Sequence, residues 1–91
     1  MEGRKISRIR YSRKFLKSLG KLPQRIIEQA QEKEKIFKDN PFYYSLRTHK
    51  LSGKDKDCQT FWIDYSCRIK FIFLSNDEVL FLDIGTHEIY K

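Results

Sequence analysis

Four side chains in this sequence are suited to acid–base chemistry that needs no metal: His49, Arg68, His87 and Tyr90. A histidine changes charge near neutral pH, and a tyrosine hydroxyl can donate or accept a proton. The arginine is a permanent cation whose planar fork matches two phosphate oxygens. Cleavage of RNA by its own 2′-hydroxyl requires a base, a phosphate-binding cation and an acid. The set contains a candidate for each role.

Each of these residues also has a simpler interpretation. A surface histidine can lack any function, Arg68 can pair with Asp64 or Asp83, and Tyr90 can cover the last strand as an apolar plug. No two histidines or carboxylates have metal-ligand spacing on one element, and the sequence contains no glycine-rich phosphate loop. We therefore expect neither a metal nor a cofactor.

The charge of the chain is concentrated at its start. The net charge is +7, and residues 1–21 hold eight basic side chains against one acid, while residues 22–91 are neutral. Such a region attracts nucleic acid or an acidic protein. A solubilising surface is the alternative explanation.

Length and composition indicate one cytoplasmic domain over residues 1–91. Cys58 and Cys67 lack metal-ligand spacing, so we expect reduced thiols. No signal peptide is visible, and no apolar stretch approaches the roughly 18 residues of a membrane span, so no membrane contact is expected.

The elements that would position these side chains change period near the middle of the chain. A first strand is predicted over residues 5–11, followed by a helix capped by Ser12. A second helix should begin at Pro23 and end before Asn40, because Pro41 pushes the residue before it out of the helical region.

Four short strands are predicted over residues 46–51, 58–64, 68–74 and 79–84. Their short connections favour an antiparallel β-meander. With the strand and helical hairpin packed on one face of this sheet, the fold class is α+β in two layers.

Strand alternation assigns the side chains to two faces. The face toward the helices should carry Phe61, Ile63, Ile69, Phe71 and Phe73. The second face should carry Trp62, Arg68 and Lys70, an aromatic ring among cations, although Trp62 can equally be buried in a secondary core.

Three segments resemble the RelE/ParE superfamily of toxins from type II toxin–antitoxin modules. They are HKLSG at 49–53, WIDYSCRI at 62–69 and IGTH at 84–87, the last followed by an aromatic residue. The resemblance covers nearly the whole chain from residue 11 onward, and is closest to the RelE and YafQ branch of ribosome-dependent mRNA interferases.

The resemblance implies a microbial-RNase-like fold and metal-independent cleavage of mRNA in the ribosomal A site. Arg68 would act on the scissile phosphate, and His87 would be a general acid or base. Tyr90 would stack on a base or assist proton transfer, and His49 matches a YafQ-like histidine. RelE has two lysines where this chain has Thr60 and Trp62. The candidate RNA-binding residues are Lys50, Lys54, Lys56, Trp62 and Lys70.

The resemblance also implies partners. A cognate antitoxin encoded by the neighbouring gene would bind the monomeric toxin in a hetero-oligomer, and the toxin would contact mRNA and ribosomal RNA. Two alternatives remain open. One is a ParE-like gyrase inhibitor, against which His87 argues. The other is an attenuated toxin that binds only its antitoxin, consistent with the missing lysines.

Overall fold

A computed structural model of the chain describes residues 5–53 and 56–86. Two helices pack on a five-stranded sheet, which confirms the predicted α+β fold in two layers. In chain order the elements are β1 (Arg8–Tyr11), α1 (Arg13–Leu19), α2 (Gln24–Asp39), a 3₁₀ turn (Tyr44–Leu46), β2 (His49–Lys50), β3 (Gln59–Trp62), β4 (Cys67–Phe73) and β5 (Glu78–Thr86).

The strand order across the sheet is β1-β5-β4-β3-β2. Strands β2 to β5 pair antiparallel with their chain neighbours, as the predicted meander requires, and β1 joins the other edge parallel to β5. The prediction of a strand over residues 46–51 was too long. The 3₁₀ turn occupies its beginning, and Arg47 in a left-handed conformation delays β2 until His49.

The predicted helix boundaries follow from local chemistry. The Ser12 hydroxyl accepts from the amide of Phe15 at 2.9 Å and so caps α1, as predicted. The same hydroxyl donates to the carbonyl of Leu82 at 2.9 Å and thereby ties the helix to β5. The second helix begins after Pro23 and ends at Asp39, so its predicted limits are also confirmed.

The core is a cluster of aromatic rings between the helices and the sheet. Phe37 of α2 is fully buried, and its ring lies 4.6 Å from Phe61 and 4.9 Å from Phe71, centroid to centroid. Ile63 and Ile69 are buried beside them, whereas Phe73 is partly exposed. The predicted helix-facing set therefore forms the core, and the other face of β3 and β4 is left for the candidate site.

Strand β5 contains a bulge directly after Phe81, the last of its residues that pairs with β1. Lys70 pairs with Asp83 and Phe71 with Phe81, so the register skips Leu82. Asp83 accepts from the Ser18 hydroxyl at 2.7 Å, which attaches α1 to the strand.

Within the described ranges, no helix has the length and hydropathy needed to cross a membrane.

Candidate functional site

His49 is oriented by a backbone carbonyl. Its Nδ1 lies 2.9 Å from the carbonyl oxygen of Arg47. Because a carbonyl oxygen can only accept, Nδ1 must carry a hydrogen, and the neutral ring keeps its lone pair on Nε2. Nε2 lies 3.4 Å from Oγ1 of Thr60 on the neighbouring strand, and the histidine side chain is otherwise exposed. The arrangement presents Nε2 as the basic atom.

Arg68 lies at the start of β4 and is only 9% exposed. Its Nη1 donates to the carbonyl oxygens of Tyr65 at 2.6 Å and Asp64 at 3.2 Å. Within the part of the chain that the structure describes, Arg68 forms no ion pair with a carboxylate, and its buried Nε has no hydrogen-bond partner. The expected alternatives of pairing with the Asp64 or Asp83 carboxylate are therefore absent there.

The carboxylate of Asp64 is used by the turn between β3 and β4. One of its oxygens accepts from the amides of Ser66 at 2.9 Å and Cys67 at 2.8 Å. Such bonds are typical of an aspartate that closes a turn. Arg68 binds the carbonyl side of the same turn, so the charge of its guanidinium is not neutralised by this neighbour.

Two guanidinium groups lie over the single tryptophan. The Cζ atoms of Arg68 and Arg47 are 4.1 Å and 4.7 Å from the centroid of the Trp62 ring. The attraction is that of cations for the negative face of an aromatic ring. Tyr65 approaches the same ring edge-on at 6.2 Å. Trp62 is partly exposed, so the predicted aromatic among cations is present.

Arg47 is a site residue that the sequence did not reveal. No motif includes it, and on the sequence it is one of 19 basic side chains. Its contact with Trp62 depends on a left-handed backbone, with φ of 52° and ψ of 41°, at the end of the 3₁₀ turn. Thr48, the one residue between Arg47 and His49, carries no signal for that conformation.

Strand register shows which candidates share a face. His49 pairs with Thr60, and Thr60 pairs with Lys70 on the next strand. Trp62 pairs with Arg68 two residues further along β3 and β4. Directly paired residues project to the same face, and alternate residues of one strand do so too. His49, Trp62, Arg68 and Lys70 therefore belong to one face, here called the polar face.

Two of the proposed RNA-binding lysines, Lys50 and Lys56, lie away from the polar face. Lys50 alternates with His49 along β2 and so belongs to the opposite face. A shallow depression on that side is lined by Lys50, Lys56, Asp57, Gln59 and Phe73. The structure thus separates these lysines from Trp62 and Lys70.

Three predicted site residues, Lys54, His87 and Tyr90, lie outside the described residues. The strand that precedes His87 in the chain ends at Thr86, which pairs with Cys67. Among the residues described, no group of three potential ligands is arranged to hold a metal ion.

The basic N-terminal region divides into two parts. Cations of β1 are paired, with Arg10 bonded to Glu78 at 2.6 Å and Arg8 at 3.9 Å from the same carboxylate. The cations of α1 and the residues after it line a depression instead, formed by Arg13, Lys14, Lys17, Ser18 and Lys21. Of these cations, Lys14 pairs with Asp83 at 3.4 Å. Among the described residues of this region, the cations without an ion pair therefore lie on α1 and directly after it.

Comparison with known proteins gives a consistent picture of the fold. No protein-family model matches the chain, and no curated protein matches its sequence. Solved structures do match. YafQ from E. coli strain BL21(DE3) superimposes with a TM-score of 0.74 at 18% identity, covering 89% of this chain and 93% of YafQ.

Two further structures extend the comparison. The toxin–antitoxin complex RelBE2 from Mycobacterium tuberculosis gives a TM-score of 0.79 at 15% identity, covering 94% of this chain and 97% of the matched chain. A YoeB/ParE toxin from Agrobacterium tumefaciens gives 0.74 at 13% identity, covering 88% and 98%. The chain has the fold of these toxins, which confirms the RelE-like fold expected from the sequence.

Proposed function

We propose that this chain is the toxin of a type II toxin–antitoxin pair and a metal-independent endoribonuclease that cleaves mRNA in the ribosomal A site. The fold it shares with YafQ and RelBE2 supports the toxin assignment. The observation that carries the catalytic part is the polar face. There, an exposed histidine whose Nε2 keeps its lone pair belongs to the same face as an arginine that has no carboxylate partner among the described residues.

The proposed reaction is a transesterification. The 2′-oxygen of the RNA attacks the adjacent phosphorus, a bond forms between them, and the bond from phosphorus to the 5′-oxygen breaks. A base takes the proton of the 2′-hydroxyl, and an acid gives one to the leaving 5′-oxygen. The products are a 2′,3′-cyclic phosphate and a free 5′-hydroxyl. His87 and Tyr90 would handle these protons, and His49 would assist.

Arg68 would stabilise the charge that develops on the phosphorane. Its guanidinium is held on one side by two carbonyl oxygens and rests on the Trp62 ring, so little reorganisation is needed when the charge appears. Nη1 is occupied by those carbonyls, and Nε is buried. The N–H groups of Nη2 are therefore the ones that would meet the phosphate.

The proposed partners are an antitoxin and the ribosome. RelBE2 is a toxin–antitoxin complex, and its likeness to this chain supports a hetero-oligomer with a cognate antitoxin. The cationic depression on α1 would suit an acidic antitoxin or ribosomal RNA. Trp62 and Lys70 would contact the mRNA at the polar face. Lys54 would also contact RNA, and Lys50 and Lys56, on the opposite side, would meet ribosomal RNA. The protein would act in the cytoplasm, where ribosomes are.

Induction in a bacterial host tests this function. Growth arrest accompanied by discrete cuts in phase with codons, mapped by primer extension on cellular mRNA, is the expected result. Substituting Arg68→Ala together with His87→Ala should abolish both, whereas Arg25→Ala, an exposed arginine of α2, should not.

Three other outcomes would contradict parts of the proposal. An SOS response without mRNA cuts would identify a gyrase inhibitor. Binding to the antitoxin without growth arrest or cuts would identify an attenuated toxin. Full toxicity of the double variant would show that the catalytic residues are wrongly assigned.

A further inference from the structure

We propose that Arg47 is the ligand-facing residue of a phosphate-binding site for single-stranded RNA, formed by Arg47, Trp62 and Arg68 and here called the two-arginine site. This inference rests on the RNA-cleaving function proposed above. It adds a substrate-binding residue that belongs to none of the three motif segments of the sequence.

The two guanidinium groups differ in what they can reach. Arg68 is 9% exposed and its Nη1 is bonded to the carbonyls of Tyr65 and Asp64. The Arg47 side chain is exposed, and the described residues provide it with neither an ion pair nor a side-chain hydrogen bond. Arg68 therefore has only Nη2 left for a ligand, while Arg47 keeps its whole planar fork available for phosphate oxygens.

The site carries more positive charge than its surroundings neutralise. Both Cζ atoms lie within 4.7 Å of one ring centroid, and within the described chain no carboxylate forms an ion pair with either arginine. Two positive charges in contact with one ring repel each other. A bound phosphate would relieve that repulsion, so an anion is the ligand that the electrostatics favour.

The backbone at Arg47 supports a role for its side chain. It is the non-glycine residue with positive φ among those described, and its carbonyl accepts from His49 Nδ1. Glycine would adopt this conformation without steric strain. That an arginine stands at this position, two residues before a candidate catalytic histidine, supports a role for its side chain.

The polar face favours RNA over an acidic peptide as the ligand. His49 and Lys70 belong to the same face, two residues along the sheet from the Trp62–Arg68 pair. An RNA strand bound at the two-arginine site would therefore pass a basic imidazole nitrogen. In-line attack by a 2′-hydroxyl needs a backbone free of base-pair constraints. We therefore infer a single strand bound by its phosphates.

Trp62 provides the measurement, because it is the only tryptophan in the chain. Purified protein is titrated with a short single-stranded RNA whose 2′-hydroxyls are all methylated, so that it binds but cannot be cleaved. We expect a saturable change in tryptophan fluorescence. Arg47→Gly retains the left-handed backbone and removes the guanidinium. It should weaken binding at least tenfold, because a hydrogen bond to a charged group is lost.

Salt dependence and a matched control sharpen the test. For a single strand, loss of one phosphate contact should lower the slope of log affinity against log salt by about 0.7. Arg25→Ala removes the same charge from an exposed position of α2 and should leave affinity and slope nearly unchanged.

The inference is overturned if Arg47→Gly binds this RNA as tightly as the wild type, if both variants weaken binding equally, or if the wild type does not bind. It is also overturned if polyglutamate displaces the RNA and is equally sensitive to Arg47→Gly, since the site would then take an acidic protein. Failure of the proposed nuclease function looks different: the methylated RNA still binds through Arg47, but ribosome-bound mRNA is not cut.

Discussion

The Arg68 guanidinium donates from Nη1 to the carbonyl oxygen of Tyr65 across 2.6 Å, and this bond joins the start of β4 to the turn that precedes it. A second bond from the same nitrogen reaches the Asp64 carbonyl at 3.2 Å. Hydrogen bonds of a charged donor are stronger than neutral ones. Arg68 therefore contributes to the stability of the sheet as well as to the proposed chemistry.

Removal of this guanidinium should destabilise the fold measurably. Arg68→Ala is expected to lower the free energy of unfolding by about 1.5–3 kcal/mol, because two carbonyl oxygens lose a charged donor. Urea denaturation at neutral pH measures the change, and Arg25→Ala on the exposed side of α2 should stay within about 0.5 kcal/mol of the wild type. Unchanged stability of Arg68→Ala would mean that the carbonyl bonds do not contribute.

A second prediction concerns which ring nitrogen of His49 carries the hydrogen. The neutral ring should carry its hydrogen on Nδ1, because that nitrogen faces the carbonyl of Arg47. Nitrogen NMR of the imidazole, at a pH where the ring is neutral, reports the tautomer directly. Arg47→Gly should preserve it, since glycine keeps the left-handed backbone, and Thr60→Val should preserve it too. A neutral ring protonated on Nε2 would remove the basis for assigning Nε2 as the base.

The aromatic core should be sensitive to one substitution above all. Phe37 is fully buried, and its ring lies within 5.5 Å of three other phenylalanine rings, measured between centroids. Phe37→Ala is expected to lower the free energy of unfolding by about 3–5 kcal/mol through lost burial and the cavity left behind. Tyr44→Ala, at a side chain that is 80% exposed, should change it by only about 0.5 kcal/mol in the same denaturation experiment.

Cys67 should make stability depend on pH in the alkaline range. Burial raises the pKa of its thiol from 9.0 to about 11, with a further increase from the Asp64 carboxylate that Arg68 partly opposes. The folded state therefore holds the thiol proton more tightly than the unfolded chain does. This contribution is complete below pH 9.0 and is lost as the pH rises toward about 11.

Cys67→Ala tests that dependence. The free energy of unfolding, measured by urea denaturation at increasing alkaline pH, should fall less steeply for the variant than for the wild type. Tyr11, whose pKa is raised by burial and by its hydrogen bond to Glu34, acts in the same direction in both proteins and cancels in the comparison. Parallel curves would show that Cys67 does not carry the effect.

Local rules explain why several elements were predictable. Ser12 caps α1 because a hydroxyl can satisfy a free amide, and α2 stops at Asp39 because the Asn40–Pro41 pair disfavours a helix. Alternation along β3 and β4 likewise separated Phe61 and Ile69 from the polar face. Each of these outcomes depends on residues within a few positions of one another.

The sequence by itself thus determined the fold class, the order of the helices and strands, and the shared face of Arg68 and Lys70, because these follow from periodicity and capping. Only the tertiary structure decided that β1 lies parallel to β5 and that Arg68 bonds to carbonyls instead of carboxylates. It also brought Arg47 onto Trp62, 15 positions away in the chain. Such contacts depend on a left-handed backbone and on strand pairing, and neither leaves a signal in residue type.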